Sequence, residues 1–401
     1  MVGLVRGLQA SGFWRITLKP AIRHGISPGG PEPAVKPSTS FGPGYRRWCH
    51  RRLLLSSWRR LSRWEYWPLW AAYPPVLLWI VWLTMKHRGL TFTAANPAIP
   101  SSGVIGESKH AILRGLSGSP AHVAPSRLIC RHLPPVAKLS QVDAFMACHA
   151  LDLPVVLKPD EGQRGSGVAV VRTRDELAAY LHRATTDTIV QEYVPGVEFG
   201  VFYARRPPAP RGWILSITGK HLPVVTGDGR RTLEHLILAD PRAVGMARFH
   251  LHRQQLRLHE VPAAGESVSL GDCGSHCRGA LFLDGARLRT PEVEAAFDHV
   301  ARRYEGFYFG RFDVRAPSAG AFARGEFTII ELNGVTSEAT HIYDPSVGLA
   351  AAYRALFAQW SLAFEIGAEN ARRGAPVTSP GALLRESIAA MRRVVPDIRK
   401  T

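Results

Sequence analysis

The chain has 401 residues and a formal net charge of +18, is 46% hydrophobic, and has a mean hydropathy of -0.05. That length allows two or three domains, and the composition fits a globular protein with a sizeable core. Five cysteines, at 49, 130, 148, 273 and 277, are scattered and odd in number, which excludes a disulfide framework and points to a reducing compartment.

The charge is unevenly placed. Residues 1–63 hold ten Arg and two Lys against the single acid Glu32, so +11 of the +18 lies there. No nucleic-acid-binding module accompanies it, and no specific nucleic acid is expected. Residues 1–63 read as a basic, Arg- and Trp-rich disordered arm suited to anionic lipid or polyanions. An early start codon that adds residues without function is the alternative. Residues 64–90 contain the uncharged run Tyr66–Met85, flanked by Arg59, Arg60 and Arg63 on one side and by Lys86, His87 and Arg88 on the other. Prolines 68, 74 and 75 argue against one continuous helix, and the stretch after Pro75 is short for a span. This segment reads as lying on a membrane or partly inserted in it, so that residues 1–88 would face an anionic membrane surface. The alternative is a buried or partner-covered helix. A cytoplasmic, membrane-associated protein is the expectation, and the segment does not read as a normal secretory signal, because it starts too late and lacks a clear small-residue cleavage site.

Residues 91–108 are turn-rich. A helix opened by Ser108 follows, over Ser108–Leu116. Strands are expected over 153–159 and 167–173, and then a helix over 175–184 capped by Thr173 or Asp175. Further strands lie in Thr188–Val194, Glu198–Ala204 and Trp213–Lys220, and helices over 292–304 and 347–370. A last amphipathic helix covers Ala382–Val395. Antiparallel strands with helices packed on them make an α+β class.

Two stretches stand out, Gly310–Arg315 (GRFDVR) and Ile329–Asn333 (IIELN). Both read as strands, with residues 316–326 as the loop of a hairpin. Side chains at i and i+2 share a face, so Glu331 and Asn333 project together and Asp313 can lie across from them. Three oxygens from two rigid strands suit a hard cation such as Mg²⁺, which points to nucleotide chemistry. An ordinary hairpin with a solvated polar face is the alternative. Lys158, at the exit of the apolar run Val155–Leu157, can hold a phosphate. Gly162, Gly165 and Gly167, with Arg164 and Ser166 between them, make a flexible loop whose backbone N–H groups can approach phosphate oxygens. It joins two strands and so is not a P-loop. The extended segment Gln191–Glu192–Tyr193–Val194 offers backbone groups to an adenine edge, and Glu198 can accept ribose hydroxyls.

In this order, Lys109, Lys158, the glycine loop, Gln191–Glu198, Gly310–Asp313 and Glu331–Asn333 resemble the ATP-grasp superfamily over roughly residues 105–345. The chain looks closest to D-alanine–D-alanine ligase-like and other carboxylate–amine ligases. Val224–Leu233 also resembles a segment of cyanophycin synthetase. The resemblance implies an ATP-grasp fold: two α+β lobes, with ATP held between antiparallel sheets. It implies that Lys109 and Lys158 contact the ATP phosphates and that Gly162–Gly167 closes over the triphosphate. Gln191, Glu192 and Val194 would hold adenine, and Glu198 ribose. Asp313, Glu331 and Asn333 would bind two Mg²⁺, with Mn²⁺ able to substitute. Arg311 would steady the transferred phosphoryl group, and Lys220 would approach it. The implied activity is an ATP- and Mg²⁺-dependent ligase joining a small-molecule carboxylate to an amine through an acylphosphate. A phosphotransferase on the same fold, or a nucleotide-binding scaffold at a membrane, is the alternative.

The chain departs from the family at its N-terminal side, where residues 91–108 stand for a truncated domain before an ATP-grasp domain at 109–345 and C-terminal helices at 346–401. It departs again after Asn333, where Glu338, His341, Tyr343 and Asp344 are expected near the acceptor, or alternatively as a capped turn. His276 and Arg278 are expected to face the phosphates, or to be plain loop residues. A homodimer is compatible with all of this.

Overall fold

The computed structural model describes residues 42–104, 106–162, 165–271, 274, 276 and 279–394, the last four by backbone alone. Arg164, Cys273, Cys277, Arg278 and residues 1–41 of the basic arm lie outside the described residues. The chain divides into two compact units. One comprises Met1–Pro75, His221–Phe282 and Tyr343–Leu349, and the other Val76–Lys220, Leu283–Ile342 and Ala350–Thr401.

In chain order the strands are β1 (Ser126–Ile129), β2 (Val155–Pro159), β3 (Ala169–Val171), β4 (Thr188–Glu192), β5 (Val197–Ala204), β6 (Trp213–His221), β7 (Val224–Thr226), β8 (Ser267–Ser269), β9 (Leu281–Asp284), β10 (Phe309–Ala316) and β11 (Thr328–Asn333). They form a four-stranded sheet ordered β1-β4-β2-β3, a five-stranded sheet ordered β11-β10-β5-β6-β9, and the pair β7-β8. The described ladders are antiparallel, and the α+β class expected from the sequence is the class observed.

In the second unit the five-stranded sheet has one apolar and one polar face, as its period of two dictates. Phe199, Val201, Tyr203, Ile217, Phe312 and Val314 enter one core with Val293, Phe297, Val300 and Ala301 of helix Pro291–Arg303. Thr290 opens that helix by accepting from the Val293 N–H, with Pro at the first turn. Phe297 stacks on Phe327 at 4.2 Å. The four-stranded sheet has its own core, with Val142 and Phe145 of helix Pro135–Cys148 and Leu177 and Leu181 of helix Arg174–Arg183. Thr173 and Glu176 form a capping box at the start of the latter. The hairpin connection differs from the expected loop. It holds a short helix, Ala319–Ala323, because Ser318 caps it and Ala321 and Phe322 are buried.

The segment before Lys109 is packed rather than loose. Phe92, Ala94, Ala95, Asn96 and Ile99 are buried. Asn96 acts as a piece of strand at the start of β10: its Oδ1 accepts from the Tyr308 and Phe309 N–H groups at 2.9 Å each, and its Nδ2 donates to the Phe309 carbonyl at 2.7 Å. Helix Pro74–Lys86 is 13 residues long. It buries Val76, Ile80 and Leu83, and the Trp79 indole donates to the Phe357 carbonyl of helix Leu349–Arg372. Among the described residues no helix is long and apolar enough to cross a membrane.

The first unit corrects the expectation of a disordered arm over its described part. Pro43–Ser62 is a helix of 20 residues. Its Cys49 is buried in a core with Leu233, Leu236 and Ile237 of helix Leu233–Ala239 and Ala247 and Leu251 of helix Ala247–Arg253. Arg52 donates to the Leu238 and Ala239 carbonyls, the C-terminal end of a helix, where cations are favoured. An arginine-rich helix is thus fixed by spending one arginine as a cap and burying small and aromatic groups beside it.

Candidate functional site

The polar face of the five-stranded sheet carries a dense charge cluster. Register places Glu198 beside Lys220 and Arg315, Asp313 beside Gly200 and Glu331, and Arg311 beside Asn333. The expected hairpin is present, and its pairing sets Asp313 directly opposite Glu331. Both Asp313 oxygens are occupied. Oδ1 pairs with Lys220 Nζ at 2.9 Å and accepts from Arg311 Nε at 2.9 Å. Oδ2 accepts from Arg311 Nη2 at 3.2 Å and from Asn333 Nδ2 at 3.4 Å. Lys220 also pairs with Glu198 Oε1 at 3.0 Å, and Arg315 with Glu198 Oε2 at 3.3 Å. Arg315 donates further to the Val194 carbonyl at 3.0 Å.

Asp313 and Lys220 are nearly out of water, and burial alone would favour their neutral forms. Burial pushes the Asp313 carboxyl up, but Arg311 and Lys220 outweigh it and hold the group well below the usual carboxylate range. Burial likewise pushes Lys220 down, and the Asp313 and Glu198 carboxylates outweigh it and hold the ammonium above its ordinary value. Gly200 makes room for this cluster. A Cβ there would lie 3.3 Å from Lys220 Cε and 3.4 Å from both Arg311 Cδ and Asp313 Oδ1. A glycine inside a strand is the sequence signal that could have flagged it.

A β-bulge links this cluster to the other sheet. Asp313 pairs with Glu331 and the next residue, Val314, with Ile329, so Ile330 is the extra residue in β11. Its freed carbonyl accepts from Lys158 Nζ at 2.9 Å and from Gln191 Nε2 at 3.2 Å. Lys158 also donates to Gln191 Oε1 at 2.8 Å. Lys158 and Gln191, neighbours on β2 and β4, thus reach across to β11. Burial pushes the Lys158 ammonium down, against the pull of Glu331, Asp313 and Asp160. Lys109 lies on helix Lys109–Gly115, which Ser108 caps, and its Nζ donates to the carbonyls of Gly162 at 2.5 Å and Asp160 at 3.2 Å. It therefore grips the start of the glycine loop, where Gly165 and Gly167 have φ of 70° and 74°, Ser166 is exposed, and Tyr180 donates to the Gly167 carbonyl. Glu192 ends β4 half-buried.

Glu331 differs from its partner Asp313. It is half-buried, and its carboxylate makes no hydrogen bond or ion pair among the described residues. Among those residues no cluster of three or more His, Cys, Asp or Glu is arranged to hold a metal. The expected trio has only two carboxylates, its third oxygen being the Asn333 amide. The donors nevertheless fit a hard cation: Glu331 is uncommitted, Asn333 presents an amide oxygen, and Asp313 can exchange Lys220 and Arg311 for an ion of higher charge.

One acid was missed by sequence reasoning. Glu107 has its Oε2 sealed from solvent with no hydrogen-bond partner among the described residues, in a niche formed where Gly103, at φ +83°, passes Gly334. Burial, with repulsion from Glu331, raises its carboxyl to about 7 against the pull of Lys109, the Gly334 N–H and Arg311. Only its place two residues before Lys109 could have drawn attention to it.

The residues expected near an acceptor, and His276, expected to face the phosphates, are divided between the two units. In the second unit, the Glu338 carbonyl accepts from Arg311 Nη1 at 3.2 Å, and His341 sits half-buried in the turn Thr340–Tyr343. In the first unit, His276 stacks on Tyr343 at 4.7 Å and pairs with buried Glu65 at 3.3 Å. Burial would raise the Glu65 carboxyl, but His276, Arg242 and Arg63 hold it below its ordinary value. Asp344 Oδ1 accepts from the Ser346 N–H and hydroxyl, the capped-turn alternative.

No protein-family profile and no curated protein matches the chain. In structure it is similar to several solved ligases. A bifunctional glutathione synthetase from Pasteurella multocida aligns at 17% identity and a TM-score of 0.34, over 62% of this chain and 36% of that one. The VanG D-Ala:D-Ser ligase from Enterococcus faecalis aligns at 15% identity and a TM-score of 0.37, over 65% and 64%. The ATP-grasp ligase PsnB aligns at 15% identity and a TM-score of 0.34, over 63% and 60%. The chain thus spans under two thirds of each of these relatives. At such scores the likeness leaves the function to be read from the site itself.

Proposed function

We propose that this chain is an ATP-dependent ligase that joins a carboxylate to an amine through an acylphosphate. The observation that carries the reading is the meeting of Lys220, Arg311, Asp313, Glu331 and Asn333 on one sheet face, reached by Lys158 through the bulge at Ile330. Lys109, Lys158 and the glycine loop would receive the phosphates. Gln191, Glu192 and Val194 would border the base, and Glu198 the ribose. Asp313, Glu331 and Asn333 would hold Mg²⁺, which when bound screens phosphate charge and aligns the oxygens.

A carboxylate is a poor acyl donor because its leaving group would be oxide. Attack of one carboxylate oxygen on the γ-phosphorus of ATP breaks the bond to the bridging oxygen and releases ADP. The amine nitrogen then attacks the acylphosphate carbonyl, losing a proton as inorganic phosphate leaves. Lys220 and Arg311, already desolvated beside Asp313 and released from it when the ion is held, would supply positive charge to the transferred phosphoryl group. The test is ADP release from purified protein with paired carboxylates and amines. Release that needs both partners, and that falls about a hundredfold in Glu331→Gln, is expected. A stable phosphorylated product formed without any amine would instead indicate a phosphotransferase. Unchanged turnover in Glu331→Gln would remove the site assignment.

A further inference from the structure

Helix Pro43–Ser62 has an unused side. Arg47, His50, Arg51, Leu54, Trp58 and Leu61, adjacent at 50 and 51 and otherwise three or four apart, are all exposed. They form one stripe along the helix. Leu54, Trp58 and Leu61 are 58%, 66% and 71% exposed. The opposite side is already engaged: Cys49 and Ser56 are buried, and Tyr45, Trp48 and Leu53 pack against the first unit's core. The apolar groups therefore lie on the face turned away from that core. Along its length the stripe changes from basic in its first turns to apolar in its last.

Charge says what would cover it. The helix carries six arginines and no carboxylate. A flat stripe of arginine followed by leucine and tryptophan matches a bilayer interface. There the guanidinium groups meet anionic headgroups, the indole sits at headgroup level and the leucines reach the acyl boundary. Helix Pro74–Lys86 shares only the apolar part of this pattern: Leu78, Val81, Trp82 and Met85 are exposed at helical spacing, and the ammonium of its single cation, Lys86, lies 5.1 Å from the Trp82 ring centre. We propose that the Arg47–Leu61 face docks the protein on an anionic lipid surface, lying on the membrane without crossing it.

The full chain should sediment with vesicles of phosphatidylcholine and phosphatidylserine and not with phosphatidylcholine alone. Trp58→Glu with Leu61→Glu should abolish the binding. Arg47→Gln and Arg51→Gln should each weaken it about fivefold. All these positions are exposed, so far-ultraviolet circular dichroism should be unchanged and a folding defect would be visible. Equal binding to neutral vesicles, or binding unaffected by the variants, would overturn the proposal. So would a dimer that dissociates in Trp58→Glu while no vesicle is bound, since a second copy of the chain would then be the occupant.

Discussion

Asp313 on β10 and Glu331 on β11 face each other in register, yet their surroundings are opposite. Asp313 is buried and accepts from Lys220, Arg311 and Asn333. Glu331 is half-buried and accepts from no described residue. Two carboxylates on one face thus divide the work. Asp313 anchors the cations of the sheet, whereas Glu331 is the acid left uncommitted among the described residues. The bulge beside them accounts for part of the difference, because it turns the Ile330 carbonyl toward Lys158, which donates there and to Gln191 rather than to the Glu331 carboxylate.

The largest effect should come from the anchored side. Asp313→Asn leaves Lys220 and Arg311 buried with one charge fewer to face, at a cost of about 3–5 kcal/mol in chemical denaturation. A loss below about 1 kcal/mol would mean that solvent already screens the cluster and that the contrast is false. Next comes a pH effect tied to Glu331 through Glu107. The Glu107 carboxyl in the fold, at about 7, lies above its ordinary 4.5. Between those values the folded state keeps a proton that the unfolded state has lost. The stability this contributes is complete below 4.5 and is lost as pH rises through 7. Glu107→Gln should therefore flatten stability against pH across that window, by up to about 3 kcal/mol. Glu331→Gln removes a repelling charge and should move the same window to lower pH.

Gly200→Ala should crowd Lys220, Arg311 and Asp313 together and cost about 1–3 kcal/mol, read from the urea midpoint. The smallest change in stability belongs to the open side. Glu331→Gln should stay within about 0.5 kcal/mol of wild type at neutral pH while ADP release collapses. A large loss of stability there would make Glu331 a second anchor and erase the comparison.

Much of this hairpin was legible in the sequence. The alternation of Arg311, Phe312, Asp313 and Val314 is enough by itself to assign the polar and apolar faces, and a loop of that length makes a hairpin economical. The bulge was not legible, because it reflects where Lys158 and Gln191 find a carbonyl rather than any residue type in β11. Gln191, Glu198, Lys158 and Lys220 were singled out, but the pairing of Gln191 with Lys158 and of Glu198 with Lys220 and Arg315 was not, since the partners come from neighbouring strands. Helix Pro43–Ser62 was misjudged as a disordered arm because arginine-rich composition reads as solvated. The carbonyls its Arg52 caps lie 186 and 187 residues further along the chain. Glu107 was invisible because its burial arises from two glycine backbones, at 103 and 334, that sequence spacing does not bring together.

Asn96 bears on where the part of the chain that carries the candidate site can be cut. A boundary at Lys109, where the motif order starts, would leave the Tyr308 and Phe309 N–H groups without acceptors and the Phe309 carbonyl without its donor, just ahead of Arg311. It would also remove the buried side chains of Phe92, Ala94, Ala95 and Ile99. A fragment that begins before Leu90 keeps both. Expression trials should therefore place the border upstream of Leu90, and a shorter piece should give itself away by rapid proteolysis at the front of β10.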